Sequence, residues 1–501
     1  MVDLESISAF LQGFPKNIWA FTGTRIMSSQ EIKDFSKWYQ DTIFEAEVVD
    51  QSPTRGCFVI RPYGFAIWEL IQKELDRRIK GHGAQNAYFP LLIPEEFLKR
   101  EAKHVEGFSP ELAVVTHAGG KELDKPYVIR PTSETIIYST FARWINSWRD
   151  LPLKINQWAN VVRWEMRPRA FLRTAEFLWQ EGHAAYATRE EAVEDAMTML
   201  NEYKTFVEDF LAIPIVAKEK TATERFAGAD HTFGVEGLMR DGKALQMGTT
   251  HLLSHSFPET FGIKYQDESG KMVVPWCTSW GVSTRLMGGL FMAHGDATGL
   301  ILPPKIAPIQ VVIIPIGRTD DQEAVLKKAN ELHELLTNAG IRSHLETNKA
   351  GKRPGALFFH WEQRGVPLRI ELGPRDLANN SAMIVDRLEQ DKNKRKTSVE
   401  LDGIASAVQE HLKDFQTRLF QRAVDFRDSH WYKVTTFKEI ADGIEKNVGF
   451  YQSGWCENAE CEAKLKEIKA SIRSVLDKPE HETCFCCGKK STTDVLIAKA
   501  Y

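Results

Sequence analysis

Two apolar segments between residues 155 and 187 show the β-strand pattern most clearly. The first is INQWANVVRWEM and the second is AEFLWQEGHAAYA, with a short loop of arginine and proline between them. Two such segments joined by a loop predict a pair of antiparallel strands. Side chains two residues apart on a strand point to the same face. We therefore expect Arg163 and Glu165 to lie side by side on this hairpin.

A four-residue spacing of apolar positions marks an earlier segment, RPYGFAIWELIQKELDRRIK. Its apolar positions are Ile67, Ile71, Leu75 and Ile79. This spacing predicts a long helix with one apolar stripe. The residues after it predict a strand that reaches Pro90.

A further helix is predicted after Thr188. Thr188 and Glu191 have the spacing of a capping box, in which each side chain bonds the other's backbone N–H. Apolar residues then recur at helical spacing, at Met199, Tyr203, Phe206 and Phe210.

The pattern changes after a proline-rich linker at residues 302–308. The strand IQVVIIPIG, a helix over residues 320–339, the strand IRSHLE, the helix PGALFFHWEQRGVP and the strand LRIELG follow in turn. This alternation predicts a small α/β domain with a mostly parallel sheet. We expect domains at residues 1–300, 301–407 and 408–501.

Composition restricts the class of protein. A hydrophobic content of 43% and a charged content of 26% are those of a soluble globular protein. The net charge of -4 argues against a strongly basic, nonspecific binder of nucleic acid, but local basic patches remain compatible with RNA binding. The start MVDLESISAF has no basic signal-peptide region, and no apolar run reaches the roughly 20 residues of a membrane span. We expect a cytoplasmic protein.

Five of the seven cysteines lie at or beyond Cys456. Without a secretion signal, disulfides are disfavoured, and paired cysteines at short spacing predict a four-cysteine zinc site. The expected ligands are Cys456, Cys461, Cys484 and Cys487. Ligation through Cys486 is an alternative, and five unliganded thiols are another.

The hairpin also carries candidate chemistry. Arg163 and Glu165 are followed by Arg173 and Phe177 in the order R-x-E, then R-x-x-x-F. The planar fork of arginine suits phosphate, and an aromatic face suits a nucleotide base. An isolated R-x-E is more often a surface salt bridge. The full pattern, however, resembles motif 2 of class II aminoacyl-tRNA synthetases.

Two further segments resemble the other motifs of that class. The helix with the apolar stripe resembles motif 1, which implies a homodimer, although such a stripe is also typical of core packing. The segment WGVSTRLMGGLFMAHGD resembles motif 3 and places Arg285 at the γ-phosphate of ATP. The alternative for Arg285 is a surface arginine at a helix end.

The segments between these motifs resemble the prolyl-tRNA synthetases of the archaeal/eukaryotic type. Thr132 and Glu134 match the loop that holds the amino group of proline, where one hydroxyl and one carboxylate satisfy both N–H bonds. Helix capping is the alternative. The resemblance implies that Gln246 and Thr249 bind the nucleotide and that His251 lies at the proline pocket, where a core histidine is the alternative. It also implies that Phe108 lies near the proline ring, although core packing explains that residue almost as well.

The resemblance implies an α+β multidomain fold. Its parts are a class II catalytic domain with an antiparallel sheet, an α/β anticodon-binding domain, and a small zinc-binding α/β C-terminal domain. Bacterial-type enzymes insert an editing domain between motifs 2 and 3. Here the segment from Phe177 to Gly281 is largely filled by predicted core elements, so we expect no editing insertion.

The implied activity is the ATP-dependent attachment of L-proline to tRNA(Pro), with Mg²⁺ at the phosphates and structural Zn²⁺. Arg163 would hold the α-phosphate and the proline carboxylate, and Glu165 would bind the adenine amino group or fix the motif 2 strand. Arg173 and Arg285 would hold the terminal phosphates, and Phe177 would stack on adenine. Thr174 and Ser283 complete the expected ATP site. A synthetase-like RNA-binding or regulatory paralogue without charging activity is the alternative function.

Overall fold

A computed structural model describes residues 34–100, 112–317, 322–348, 351–446 and 448–501. Phe108, which the sequence suggested for the proline pocket, lies outside these ranges. Within them, no helix combines the length and the apolar character that crossing a membrane requires.

The first part of the chain alternates short strands with helices around one large sheet. Its elements are α1 (Phe35–Glu45), β1 (Val49–Gln51), β2 (Phe58–Ile60), α2 (Pro62–Gly81), β3 (Gln85–Asn86), β4 (Leu92–Pro94), α3 (Glu95–Arg100), β5 (Ala113–Ala118), β6 (Lys121–Ile129), α4 (Glu134–Trp144), β7 (Leu153–Val162), β8 (Glu176–Tyr186), α5 (Arg189–Leu211), β9 (Ile215–Glu219), β10 (His231–Leu238), β11 (Ala244–Ser254), α6 (Ser256–Phe261), β12 (Tyr265–Gln266), β13 (Met272–Val273), β14 (Trp276–Ser283) and α7 (Arg285–His294).

The large sheet has the strand order β3-β7-β8-β14-β11-β10-β9. Its pairings are antiparallel except for the short parallel contact of β3 with β7. The predicted hairpin is confirmed as β7 and β8, with Val161 opposite Phe177. Arg163 and Glu165, however, lie just beyond the end of β7, in the connecting loop rather than on the strand. The antiparallel sheet confirms the predicted fold class.

Helix α5 covers the back of this sheet. Its N-terminus is the predicted capping box, in which the Thr188 hydroxyl accepts a bond from the Glu191 N–H and the Glu191 carboxylate accepts one from the Thr188 N–H. Met199, Tyr203 and Phe206 on this helix are buried. They belong to the same core cluster as the apolar residues of α2.

The apolar stripe of α2 is fully buried within the single chain. Each of its residues, Ile67, Ile71, Leu75 and Ile79, has 0% of its surface exposed. The stripe is therefore core, and a partner subunit would have to use other residues of this region. The strand predicted to reach Pro90 forms only at Gln85–Asn86.

The second part of the chain is a smaller α/β unit. Its elements are β15 (Val311–Pro315), α8 (Gln322–Asn338), β16 (Ser343–Leu345), α9 (Pro354–Gln363), β17 (Leu368–Leu372), α10 (Pro374–Ala378), β18 (Ser381–Asp386) and β19 (Lys396–Glu400). The sheet order is β16-β15-β17-β18-β19. Strand β15 pairs in parallel with β16 and β17, whereas β17, β18 and β19 pair antiparallel. The prediction of a mostly parallel sheet was wrong, because β18 and β19 form a hairpin that the alternating pattern did not include.

The last part begins with a long helix shared between two units. Its elements are α11 (Ile404–Ser429), β20 (Trp431–Lys433), α12 (Phe437–Lys446), β21 (Phe450–Trp455), α13 (Ala459–Ala463), β22 (Ser471–Val475) and β23 (Thr493–Ala498). Ile404, Val408 and Phe415 of α11 pack into the core of the second unit. The proposed border at residues 407 and 408 thus falls in the first turns of this helix. The final sheet has the order β20-β21-β23-β22.

The final unit packs directly against the large sheet. Ala244 of β11 forms a parallel bridge with Ala500. Leu238, Phe450 and Leu496 share one buried cluster across the contact. Backbone pairing and a common core therefore hold the C-terminal unit on the large sheet.

We predict that Gly182→Ala destabilises the protein, because a Cβ at Gly182 would lie 2.0 Å from ring atoms of Trp280 on the paired strand β14. Overpacking of this kind costs typically about 1–3 kcal/mol, and it should lower the midpoint of thermal unfolding. Gly355→Ala is the matched control, since a Cβ at Gly355 has nothing within 4 Å. An unchanged midpoint for Gly182→Ala would show that Trp280 can move aside.

Candidate active site

The large sheet bears a pocket of about 310 Å³ on the face opposite α5. The pocket contains nine of the residues that the sequence suggested. They are Thr132, Glu134, Arg163, Phe177, Gln246, Thr249, His251, Ser283 and Arg285. Residues that lie far apart in the sequence therefore converge on one site.

Strand alternation explains how β8 and β14 contribute to the pocket. Side chains two apart share a face, so Phe177, Trp179, Glu181 and His183 of β8 all line it. Ser279 of β14 lies opposite His183 in the strand pairing. The sequence analysis singled out only Phe177 on β8, although the period of two would have pointed to the other three.

A β-bulge brings Gln246 and Thr249 to the same side. These residues are three apart, and regular alternation would place them on opposite faces. The pairing with β10 shifts between Val235 and Glu236, so that Glu236 lies opposite Gln246 and Val235 lies opposite Gly248. The extra residue of a bulge resets the alternation, which explains why both Gln246 and Thr249 line the pocket.

Arg163 is held from two directions. Its Nε donates to the carbonyl of Pro131 at 2.9 Å, which links it to the segment that carries Thr132. Its guanidinium carbon lies 5.5 Å from the ring centre of Phe177 and 5.6 Å from that of Trp179. These contacts fix the guanidinium at the pocket, in the manner of cation–π pairs.

Arg285 begins helix α7 at the end of β14. Its Nε and Nη2 donate to the carbonyl of Leu172 at 3.3 and 3.2 Å. Burial, together with the nearby charges of Arg163 and Arg173, lowers the pKa of Arg285 to about 10. Arg285 remains charged at neutral pH. Three arginines that repel one another at one site favour a polyanionic ligand.

Glu165, Arg173 and Thr174 lie in the connecting loop and are not among the residues that line the pocket. The Glu165 carboxylate accepts a bond from the N–H of Arg167 at 2.9 Å and lies 3.9 Å from the Arg173 guanidinium. The Arg173 side chain is 57% exposed. In this structure Glu165 therefore orders the loop that carries Arg173.

Also in the pocket, the Thr132 hydroxyl donates to the Glu134 carboxylate. Glu134 is the first residue of helix α4 and is buried. A hydroxyl and a carboxylate in contact form a small polar pair suited to a ligand with two N–H bonds.

His251 has hydroxyl partners on both ring nitrogens. Nδ1 lies 3.0 Å from Thr232 Oγ1, and Nε2 lies 3.1 Å from Thr249 Oγ1. Burial, together with the nearby charge of His183, lowers the pKa of His251 to about 3. The imidazole is therefore neutral at physiological pH. In addition, the Ser279 hydroxyl is buried and has no hydrogen-bond partner among the described residues.

A loop after β9 supplies a wall that the sequence analysis missed. Its lining residues are Glu224, Arg225 and Phe226. The ring centre of Phe226 lies 4.7 Å from that of His251. An aromatic residue in an exposed, alanine- and glycine-containing loop gives no periodic signal, so only the fold brings it to the pocket.

A separate cluster of cysteines occurs in the C-terminal unit. The sulfurs of Cys456, Cys461, Cys484 and Cys487 all lie within 4.8 Å of one another. Cys456 Sγ is 3.8 Å from Cys461 Sγ and 3.6 Å from Cys487 Sγ. A backbone hydrogen bond from Lys489 lowers the pKa of the Cys487 thiol to about 7, which favours the thiolate form that binds metal.

Three family profiles cover most of the chain. Residues 115–294 match the tRNA synthetase class II core domain (G, H, P, S and T). Residues 310–411 match the anticodon-binding domain. Residues 437–501 match the C-terminal domain of prolyl-tRNA synthetase. The pocket described above thus lies in a class II synthetase core.

Similar proteins indicate which family within the class II synthetases this chain matches. A proline--tRNA ligase of Chlorobium phaeobacteroides is 48% identical over 93% of this chain and 98% of its own length. Proline--tRNA ligase 2 of Rhodococcus jostii is 48% identical over 94% of this chain and 98% of its own length. The chain belongs to the prolyl-tRNA synthetase family.

A solved structure agrees with this assignment. The crystal structure of prolyl-tRNA synthetase from Cryptosporidium parvum, in complex with halofuginone and AMPPNP, is similar with a TM-score of 0.88 and 40% sequence identity. The similarity covers 94% of this chain and 98% of that chain.

Proposed function

We propose that this chain activates L-proline with ATP and transfers it to tRNA(Pro). The observation that carries the proposal is the set of charged groups that meet at the pocket. Arg163 and Arg285, with Arg173 in the adjoining loop, meet there with the Thr132–Glu134 pair. A triphosphate suits the arginines, and a secondary ammonium suits the hydroxyl–carboxylate pair.

In the proposed reaction, the proline carboxylate attacks the α-phosphate of ATP and pyrophosphate leaves. Thr132 and Glu134 hold the proline ammonium. Arg163 holds the proline carboxylate and the α-phosphate, and Arg173 and Arg285 hold the terminal phosphates. Such a reaction depends mainly on positioning and on charge stabilisation. The tRNA ribose hydroxyl then attacks the carbonyl carbon of the prolyl-adenylate, which forms the ester and releases AMP.

The nucleotide is proposed to lie along β8 and β11. Phe177 stacks on adenine, and Gln246, Thr249 and Ser283 provide polar contacts. Thr174 follows Arg173 in the loop and completes the site when the loop closes on ATP. Glu165 either contacts the adenine amino group or keeps its observed role in the loop. His251, which is neutral, borders the proline end without adding a positive charge that would repel the ammonium.

Mg²⁺ is proposed to arrive on the ATP phosphates, whose charge it neutralises. Among the residues described, the pocket carboxylates do not form a set that holds an ion by itself. The AMPPNP in the Cryptosporidium parvum structure is an ATP analogue and supports a nucleotide at this site.

A homodimer is proposed because the α2 region resembles motif 1, through which class II enzymes pair their subunits. Because the α2 stripe is buried, the neighbouring exposed residues Tyr88, Leu92 and Trp144 are the proposed contacts, with 71%, 41% and 46% of their surfaces exposed.

The second unit is proposed to bind the tRNA anticodon, and the enzyme is proposed to act in the cytoplasm.

The cheapest test of the function is proline-dependent exchange of label between pyrophosphate and ATP, measured with each of the twenty amino acids. We expect proline to support the fastest exchange. Exchange with no amino acid would favour the non-charging paralogue, and fastest exchange with another amino acid would identify a different synthetase.

We predict that Arg163→Ala lowers the rate of this exchange by roughly a hundredfold or more, as expected when a group that stabilises transition-state charge is removed. Arg163→Lys should recover only part of the rate, because an ammonium lacks the planar fork. Arg77→Ala is the control, since Arg77 is 69% exposed on α2. Near-normal exchange by a folded Arg163→Ala protein would remove Arg163 from the mechanism.

We predict one structural zinc ion per chain at the cysteine cluster. Four sulfurs at about 2.3 Å from a tetrahedral zinc ion lie about 3.8 Å apart, and the measured 3.6 and 3.8 Å separations fit that ion. Elemental analysis of Cys461→Ser and Cys484→Ser should show loss of zinc, whereas Cys57→Ser should keep it. Loss of zinc in Cys486→Ser, with Cys487→Ser unaffected, would reverse the choice of ligand.

We also predict that the chain does not hydrolyse alanyl-tRNA(Pro). Alanine is smaller than proline by roughly two methylenes, and each missing methylene gives only about 1–3 kcal/mol of discrimination. Alanine should therefore be activated slowly, and another protein should clear the product. Between β8 and β14 the described residues form α5 to β13, all of which pack on the core or on each other. Hydrolysis of premade alanyl-tRNA(Pro) above the spontaneous rate would reveal an editing site.

A further inference from the structure

The loop over residues 220–230, between β9 and β10, forms one wall of the active-site pocket, and we call it the wall loop. It carries Glu224, Arg225 and Phe226 to the pocket. Phe226 packs near His251 at the proline end. Most of the loop's middle residues are exposed, whereas Lys220 and Thr221 at its start are each 2% exposed. The start of the loop is therefore its most deeply buried part.

The first anchor joins the wall loop to the C-terminal unit. The Thr221 hydroxyl donates to Glu462 Oε1 at 2.6 Å. Glu462 lies on α13, directly after the cluster cysteine Cys461, and is 8% exposed. A hydrogen bond to a carboxylate is about twice as strong as one between neutral groups, and water reaches this contact poorly.

The second anchor is a buried ionic group. The Lys220 ammonium contacts the Glu236 carboxylate on β10. Arg473 of β22, in the C-terminal unit, donates to both oxygens of the same carboxylate, at 3.2 and 2.8 Å. Gly234 leaves room for the lysine, since a Cβ there would lie 2.5 Å from Lys220 Cε. The C-terminal unit therefore supplies the second cation that contacts Glu236.

The other contacts of the wall loop stay within the domain of the large sheet, and Phe226 also packs against His251 and Phe257. The Phe226 N–H donates to Thr232 Oγ1 at 3.0 Å, and Arg225 Nη2 lies 3.3 Å from Glu219 Oε1. Both partners belong to the strands that flank the loop. The two anchors are different, because each connects the start of the loop to the C-terminal unit.

We propose that the C-terminal unit positions the wall loop for proline binding, with Glu462 and Arg473 as positioning residues that act through Thr221 and through the Lys220–Glu236 pair. This inference rests on the proposed function, because proline is the ligand whose pocket the loop closes. Glu462 and Arg473 touch no substrate; they set where Phe226 and Arg225 lie.

The test is the proline dependence of exchange in Thr221→Val and Glu462→Ala. Each change breaks the first anchor, and we expect the KM for proline to rise roughly five- to tenfold, below the roughly hundredfold loss that a 1 Å misplacement of reacting groups can cause. The KM for ATP and the kcat of exchange should change less. Because the two changes remove one interaction, the double variant should be no worse than either single variant.

Conservative variants and one matched control separate positioning from general destabilisation. Thr221→Ser and Glu462→Gln keep a donor and an acceptor, and they should restore most of the proline affinity. Glu460→Ala changes the same residue type on the same helix at an exposed position, and its KM for proline should equal that of the wild type. Arg473→Lys should recover more proline affinity than Arg473→Met, since it keeps a charge beside Glu236.

A structural readout is independent of activity. Trypsin should cleave after Arg225 faster in Glu462→Ala than in the wild type, as detected by mass spectrometry. The digestion is carried out below the thermal midpoints of both proteins, so that both are folded. If Glu462→Ala does not fold, Thr221→Val decides the question. An unchanged KM for proline in folded Thr221→Val, while the wild type shows normal proline-dependent exchange, overturns this inference and leaves the proposed function intact. Absence of exchange in the wild type overturns the proposed function itself.

Discussion

The antiparallel pairing of β8 with β14 is the constraint on which the site depends. Because of this pairing, alternate side chains of both strands line the pocket, and the side chains between them pack into the core. On the core side, Asp195 of α5 accepts bonds from Thr278 Oγ1 at 2.7 Å and from Trp280 Nε1 at 3.3 Å. A carboxylate buried at 6% exposure therefore holds β14 from behind. A shift of one residue in this pairing would turn every pocket side chain of the strand into the core.

The pocket built on this frame is electrostatically incomplete by itself. Arg163, Arg173 and Arg285 are close enough for the first two to lower the pKa of the third. The carboxylate of Glu165 approaches Arg173 only at 3.9 Å. Repulsion between like charges that the fold holds together raises the electrostatic energy, and a bound polyanion offsets that repulsion. The arrangement is thus stabilised by the kind of ligand that the activity requires.

The sequence predicted the parts of the site that depend on local pattern and on recognisable motifs. The β7–β8 hairpin, the capping box at Thr188 and the four clustered cysteines followed from spacing alone. The rest depended on contacts between distant segments. The bulge that brings Gln246 and Thr249 to one face has no sequence signal, and Phe226 reaches the pocket only because the wall loop folds over it. The β18–β19 hairpin was missed because the predicted elements ended at β17 and the alternation before it favoured a parallel sheet.

The C-terminal unit shows why some functional contributions cannot be assigned from motifs. Its cysteine cluster is recognisable in sequence, but Arg473 and Glu462 are ordinary charged residues in their segments. Their role is visible only in the folded protein, in which β22 packs beside β9 and β10. There the buried carboxylate of Glu236 contacts Arg473 as a second cation. A buried ion pair contributes little net stability compared with apolar packing, whereas removal of one partner is strongly destabilising. Such a group therefore specifies one arrangement of two units more than it strengthens either, and here that arrangement sets the wall of the pocket.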